Sequence, residues 1–163
     1  MGPTEQSFQK LVAQLDYPMF IATVAAGGER GGCLIGFATQ ASIHPPRFLA
    51  GISEKNHTFR VARGANSMGI HLVPEGATDL AELFGGETGD DLDKFERVSW
   101  RPGPEGVPLL DECPTRFVGR ILERVDFGDH TGMVLEPFFA EFEEPEGQLG
   151  FHRAKRIDPG HEA

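Results

Sequence analysis

The spacing of hydrophobic positions along this chain changes near Pro18. Before it, Phe8, Leu11, Val12 and Leu15 fall at i, i+3, i+4 and i+7, the spacing of one helix face. Thr4 stands where it can cap that helix, and Glu5 suits its positive end. From Pro18 onward the pattern is that of strands. Met19 to Val24 reads as the first, and the glycines of Ala26-Gly27-Gly28-Glu29 supply the positive φ of a hairpin turn. A second strand starts at about Gly31 and continues through the run Gly36 to Pro46. Pro45 and Pro46 end it near His44, because proline lacks a backbone donor and restricts its predecessor. Arg47 to Ile52 is the third strand, and Thr58 to Arg63 is a helical turn stopped by Gly64. Ser67 to Val73 is the fourth strand, and Thr78 to Phe84 a helix with Gly85-Gly86 as its stop. Glu87 to Asp93 reads as a solvated acidic loop. Arg97 to Trp100 reads as a short strand, followed by a Pro102-Gly103-Pro104 loop. Two long strands, Thr115 to Asp126 and His130 to Phe142, flank the turn Phe127-Gly128-Asp129. Gly147 to Arg156 reads as a last strand. Many short strands with glycine turns and few helices indicate a mainly β, antiparallel barrel rather than a doubly wound sheet. Residues 1–157 are expected to form one domain, with 158–163 a disordered tail.

Composition narrows the function classes. Fifteen basic against 25 acidic residues leave a formal charge of −10, which argues against nonspecific nucleic-acid or anionic-membrane binding. A small basic pocket for a phosphate is compatible with it. The N-terminus has no basic leader pattern and no apolar run spans a bilayer, so the cytoplasm is the expected location. Cys33 and Cys113 are isolated and expected to be reduced. His44, His57, His71, His130, His152 and His161 are scattered without metal-ligand spacing. Asp90, Asp91 and Asp93 lack the terminal Glu of an EF-hand loop, so no metal is expected. No Gly-x-Ser-x-Gly elbow is present, and Gly27 to Gly32 lacks the Lys-Ser/Thr and helix of a phosphate loop.

The candidate chemistry gathers at Thr39, Gln40, Ala41 and Ser42, short and polar side chains at a strand end ahead of Pro45-Pro46. Such an end can serve as the rim for a flat, polar-edged ligand, or can simply be a turn. With Gly32 at its head, this run resembles the first signature of the flavin reductase-like, FMN-binding split-barrel family: a strand beginning at glycine, a Thr and a Ser three apart, then Pro-Pro. Further pieces follow in that family's order. They are Ile52-Ser53-Glu54-Lys55-Asn56-His57-Thr58, Ser67-Met68-Gly69-Ile70-His71-Leu72, Leu80 to Gly86, Asp93-Lys94-Phe95, Pro108-Leu109-Leu110 with Glu112-Cys113, and Gly128-Asp129-His130.

The resemblance implies an antiparallel Greek-key split β-barrel of six strands with a few short helices, binding FMN or FAD and using NADH or NADPH. It implies that Thr39, Gln40, Ala41 and Ser42 face the flavin's pyrimidine edge and N5, by side chain or backbone. Hydride arrives at N5 while negative charge grows over N1 and C2=O, and fixed donors stabilise that charge. Ordinary strand-end capping is the alternative. Lys55, Asn56 and Thr58, with Ser53, would hold the phosphate beside a helix start, or else form a solvated loop capped by Asn56 or Thr58. His57 is expected to point elsewhere. Near the nicotinamide side of the flavin, His130 would pack against or hydrogen-bond the dinucleotide without acting as a proton-transfer base, although a plain hairpin turn also explains Gly128-Asp129. Three positions depart from the family pattern: Gly36 where a polar residue is common, His71 where Asn is common, and Leu135-Glu136-Pro137 where a glycine is usual. The implied function is NAD(P)H-dependent flavin reduction supplying a monooxygenase partner. The alternatives are a non-reductase flavoprotein (an electron carrier or an oxidoreductase with its own substrate) and a flavin-free dimeric interaction module. A homodimer is expected, because Phe127, Phe138, Phe139, Phe142 and Phe151 exceed what one small barrel readily hides.

Overall fold

A computed structural model describes residues 2–86 and 93–156; the acidic stretch 87–92 and the tail from residue 157 lie outside them. Helix α1 (Pro3–Val12) is followed by strands β1 (Phe20–Ala26), β2 (Glu29–Ile35), β3 (Ala38–Ser42) and β4 (Arg47–Ser53). Then come α2 (His57–Ala62), β5 (Ser67–Leu72), α3 (Thr78–Gly86), β6 (Trp100–Pro102) and β7 (Pro108–Leu110). Two long strands, β8 (Arg116–Asp126) and β9 (His130–Glu141), precede a short α4 (Phe151–Ala154). Seven strands form one antiparallel sheet in the order β2-β1-β5-β8-β9-β4-β3, and β6 pairs with β7 apart from it.

The two edge strands of that sheet are joined by Gly36 and Phe37 alone. Laid flat, seven strands would put β2 and β3 roughly 29 Å apart. The two-residue link spans only on the order of 10 Å. The sheet therefore curls until its edges approach without pairing, which is a split barrel. The core agrees, since Cys33 and Ile35 of β2 share one buried cluster with Ala50 and Ile52 of β4 and Met133 and Leu135 of β9. Val61 and Ala62 of α2 complete that cluster, so α2 plugs the barrel. A second core (Ile21, Leu80, Phe84, Phe95, Leu149) lies on the opposite face of β1 under α3 and α4. Lys94 is buried there with its charge answered by carbonyls, its Nζ donating to Gly32 O at 3.1 Å and Phe84 O at 3.0 Å.

Several expectations are corrected. The strand expected from Gly31 to His44 breaks at Gly36, where an added Cβ would lie 2.5 Å from the Tyr17 ring, so only glycine fits. Gly2, not Thr4, occupies the N-cap of α1, and Pro3 begins the helix. Gly85 and Gly86 form the last residues of α3 instead of lying beyond it. The short strand begins at Trp100, not Arg97, and includes Pro102. In place of a last strand, Gln148 and Gly150 make single bridges to Pro74 and Pro18, and α4 follows. The main sheet has seven strands where six were expected. Of the five phenylalanines, Phe127, Phe138 and Phe142 are exposed. Phe139 instead packs on Val107, Leu109 and Val118, and Phe151 stacks on Tyr17 at 4.6 Å.

His71 belongs to the core. It is fully buried, its Nδ1–H donating to Ile21 O at 3.1 Å and its Nε2 accepting from the Leu110 N–H at 3.1 Å. Burial lowers its pKa to about 4, with the Arg116 guanidinium adding to the shift. The neutral ring is the form the fold needs. Its contribution is whole above pH 6.5, where unfolded histidine is also neutral, and is lost as pH falls through about 4. The folded protein should lose roughly 3 kcal/mol from this group over that interval. Urea unfolding of wild type and His71→Asn between pH 7 and pH 4 checks it: the variant should show a shallower decline.

Candidate functional site

The outer face of β3, β4 and β9 collects the candidate residues, and strand register explains how. On the inner face Ala50 lies opposite Met133 and Ile52 opposite Thr131, with Ala50, Ile52 and Met133 fully buried. The alternate positions Leu49, Gly51 and Ser53 therefore face outward with Val134, Gly132 and His130. β3 adds Thr39 opposite Leu49 and Ser42 opposite Arg47. Residues three apart on a regular strand point to opposite faces. Here the register shifts between Gln40 and Ser42, so Ala41 is an extra residue and both hydroxyls share the outer face. Gln40 pairs with Phe48 and belongs to the other face. Thr39 Oγ1 donates to Gln40 O at 3.2 Å, and Gln40 Nε2 to Ser42 O at 3.4 Å, contacts that leave the rim exposed.

At the other end of this face, β4 delivers Ser53 beside His130, and the loop to α2 carries Lys55, Asn56 and Thr58. Lys55 is exposed. The Asn56 side chain is the N-cap of α2, its Oδ1 accepting from Thr58 N at 2.9 Å. Thr58 points inward and is buried, and its Oγ1 makes no hydrogen bond of ordinary geometry. Its polar neighbour is the Cys33 thiol, which burial pushes up and the Thr58 hydroxyl draws partly back. Ser53, Lys55 and His130 are thus brought together. Asn56 is engaged in capping, and Thr58 is turned toward the core. His57 lines a separate depression of about 630 Å³ with Ala26, Arg60 and Gly64, away from the face, as expected.

His130 is set by its neighbours. Asp129 Oδ1 lies 2.7 Å from Nδ1, so Nδ1–H donates to that carboxylate and the ring is oriented by it. That hydrogen bond holds the fully exposed Asp129 carboxyl below its ordinary range. The Phe37 ring stands 4.9 Å from the imidazole, tilted by 51°. Phe37 was not singled out from sequence, yet its parity with Thr39 on one strand edge was a usable signal. Gly51 and Gly132 face each other in register, with Phe37 against the first and the Phe127 ring over the second. Glu54 and Thr131, bonded to each other at 2.8 Å, were also missed, because their contact joins segments 77 positions apart. The departure at Leu135-Glu136-Pro137 is accommodated. Leu135 fills the core, Glu136 pairs with Arg47 at 3.3 Å, and Pro137 adjoins a bulge where a ladder donor is dispensable.

The arrangement fits a flavin. Hydroxyls at Thr39 and Ser42 suit a polar ring edge, exposed Phe37 and Phe127 suit ring faces, and Lys55 suits a phosphate. Among the described residues no cluster of three metal-ligating side chains exists.

The chain belongs to the family described as "Flavin reductase like domain", which matches residues 12–158. It is 25% identical over 148 residues to the FMN reductase (NADH) RutF of Klebsiella pneumoniae, covering 90% of each chain. It is 24% identical over 139 residues to the 4-hydroxyphenylacetate 3-monooxygenase reductase component of Pseudomonas aeruginosa, covering 83% of this chain and 81% of that one. The fold matches the crystal structure of a flavin reductase domain protein from Arthrobacter with a TM-score of 0.81, at 22% identity over 90% of each chain.

The glycine pair yields a stability test. A Cβ at Gly51 would meet Phe37 Cβ and the Phe37 carbonyl, both at 3.1 Å, while one at Gly132 would meet only the tip of the exposed Phe127 ring. Gly51→Ala should therefore cost about 1–2 kcal/mol and Gly132→Ala less, since the Phe127 ring can swing into solvent. Urea midpoints of the two variants measure the difference.

Proposed function

We propose that this protein is an NAD(P)H-dependent flavin reductase acting on FMN or FAD at the outer face of β3, β4 and β9, supplying reduced flavin to a monooxygenase. The observation that carries this reading is the β3 bulge, which turns Thr39 and Ser42 to the same face as Ser53 and His130. The family membership and the named activities of its relatives support the chemistry. A bound flavin supplies the hydride-accepting N5. Thr39 and Ser42 orient its polar edge and donate where negative charge grows. Ser53 and Lys55 bind the phosphate, with Asn56 shaping the loop as its cap. Backbone groups of Gln40 and Ala41 complete the rim. His130, oriented by the Asp129 hydrogen bond to Nδ1, presents Nε2 to the nicotinamide side of the dinucleotide, and Phe37 shields that contact from water. We place this work in the cytoplasm, where nicotinamide nucleotides are kept reduced. No described helix is long and apolar enough to cross a membrane.

Anaerobic mixing with NADH and with NADPH tests the reading, since bound flavin should lose its visible absorbance with at least one of them. No bleaching with either would leave a non-reductase flavoprotein, and a colourless protein that takes up no flavin would leave the interaction module. Thr39→Val with Ser42→Val should weaken flavin affinity about tenfold, followed by fluorescence quenching. Lys55→Ala should weaken FMN about tenfold and riboflavin hardly at all, because only FMN carries the phosphate. His130→Ala should slow reduction while flavin affinity stays within a few-fold.

The working unit in this reading is a homodimer. The site face is open and apolar, with Phe37 59% and Phe127 54% exposed beside Leu122 and Val125. On α1, Phe8 and Leu11 face solvent as well. A second copy covering such surface matches the size and aromatic content of obligate interfaces. Light scattering behind size exclusion should report about twice 17.8 kDa with one flavin per chain, and a stable flavin-loaded monomer would overturn it.

A further inference from the structure

We propose that Glu54 is a positioning residue that transmits the rigidity of the β4–α2 loop to the hairpin turn bearing His130. The proposal rests on the reductase reading, and it assigns work to a side chain outside the flavin rim and the phosphate site. Glu54 is the first residue beyond β4 and grips the turn twice. Its backbone N–H donates to Asp129 O at 3.0 Å, and its Oε2 accepts from the Thr131 hydroxyl at 2.8 Å. Thr131 is buried, so this hydroxyl depends on the carboxylate as its acceptor.

The two sides of this clasp differ in how deeply they are packed. On the loop side, Asn56 N donates to Ser53 O at 3.1 Å, Asn56 caps α2, and α2 is buried through Thr58, Val61 and Ala62. On the turn side, residues 127–129 are exposed and lie beyond the β8–β9 ladder, closed on themselves by Phe127 N donating to His130 O and Gly128 N to Asp126 Oδ1, both at 2.9 Å. Asp129 orients His130 through the 2.7 Å hydrogen bond to Nδ1, yet Asp129 is itself in solvent. An exposed carboxylate fixes an imidazole only if its own backbone is fixed. The Glu54 backbone N–H supplies that restraint at the Asp129 carbonyl, and the Glu54 carboxylate, through Thr131 on the other side of His130, holds that backbone N–H in place. The ring is thereby held from both chain neighbours, with Nε2 left free on the site face beside Phe37.

The test combines anaerobic stopped-flow reduction with imidazole 15N spectra of the intact protein in Glu54→Ala, Thr131→Val, the double variant and Glu54→Gln. Each single variant should lower the limiting reduction rate about tenfold, the scale of a misplaced contact group, with FMN affinity unchanged within about twofold. The double variant should be no worse than either single, because both break one clasp. Glu54→Gln keeps an amide oxygen to accept from Thr131 and should recover most of the rate. In the spectra, His130 should pass from a single Nδ1–H tautomer in wild type to a mixture in Glu54→Ala. An unchanged rate, additive losses, or a rate loss matched by equal losses of FMN affinity and of melting temperature would overturn the proposal. If wild type itself is bleached by neither nucleotide, the reductase reading fails separately, and the His130 spectra alone decide the positioning role.

Discussion

Two residues hold this barrel's edges together. Because β2 and β3 lie at opposite ends of one sheet and only Gly36 and Phe37 connect them, the sheet has no flat alternative. Curling puts the inner positions of distant strands into one cluster, which is why Cys33 and Leu135 belong to the same buried core as residues of α2. The curl is eased by bulges where β8 meets β9, at Phe138 and Leu122, and both extra residues point outward. The link also sets its own sequence. Gly36 is there because the Tyr17 ring occupies the space of a side chain, and Tyr17 is in turn pinned by stacking on Phe151 of α4. A position that departs from the family's habit of a polar residue is thus explained by packing.

The same link delivers the candidate site. Phe37 enters β3 with its carbonyl bound to Gly51 N at 2.7 Å, which places its ring on the outer face against His130. From there the face is organised by parity: every second residue of β4 and β9 looks outward, and the β3 bulge brings Ser42 into line with Thr39. Local chemistry then refines the set. Asn56 is engaged in capping a six-residue helix, and Thr58 rolls inward beside Gly31 and Cys33 as that helix plugs the barrel.

Much of this was legible in the chain, and the exceptions share a cause. The first hairpin could be read from Gly27 and Gly28, which take φ of 60° and 81°, because turn chemistry is local. The β8–β9 hairpin and helices α1 and α3 follow from periodicity alone. The break at Gly36 could not be read, since Leu34-Ile35-Gly36-Phe37-Ala38 is an unbroken strand-like run until Tyr17 arrives from elsewhere in the fold. β7 was missed because it opens with Pro108 and exists only by pairing with Trp100 to Pro102. α4 is four residues long, shorter than any periodicity can report. In the site, residue types, their approximate neighbourhood and Asn56 as a candidate cap were readable, whereas the buried Thr58 and the Glu54–Thr131 contact each depend on which way a short element turns.

The bulge at Ala41 makes β3 behave like a text read in a fixed frame. Loss or gain of one residue elsewhere in a surface loop is absorbed by the loop, but at this point it changes phase. Deleting Ala41 would leave strand length and hydrogen-bonding capacity nearly intact while turning Ser42 away from the site, a lesion of address with little change in composition. An edge strand that carries a ligand rim on one face is therefore more sensitive to indels than to most substitutions, and drift in this barrel is expected to proceed by exchanging side chains at constant spacing between Gly36 and Pro45.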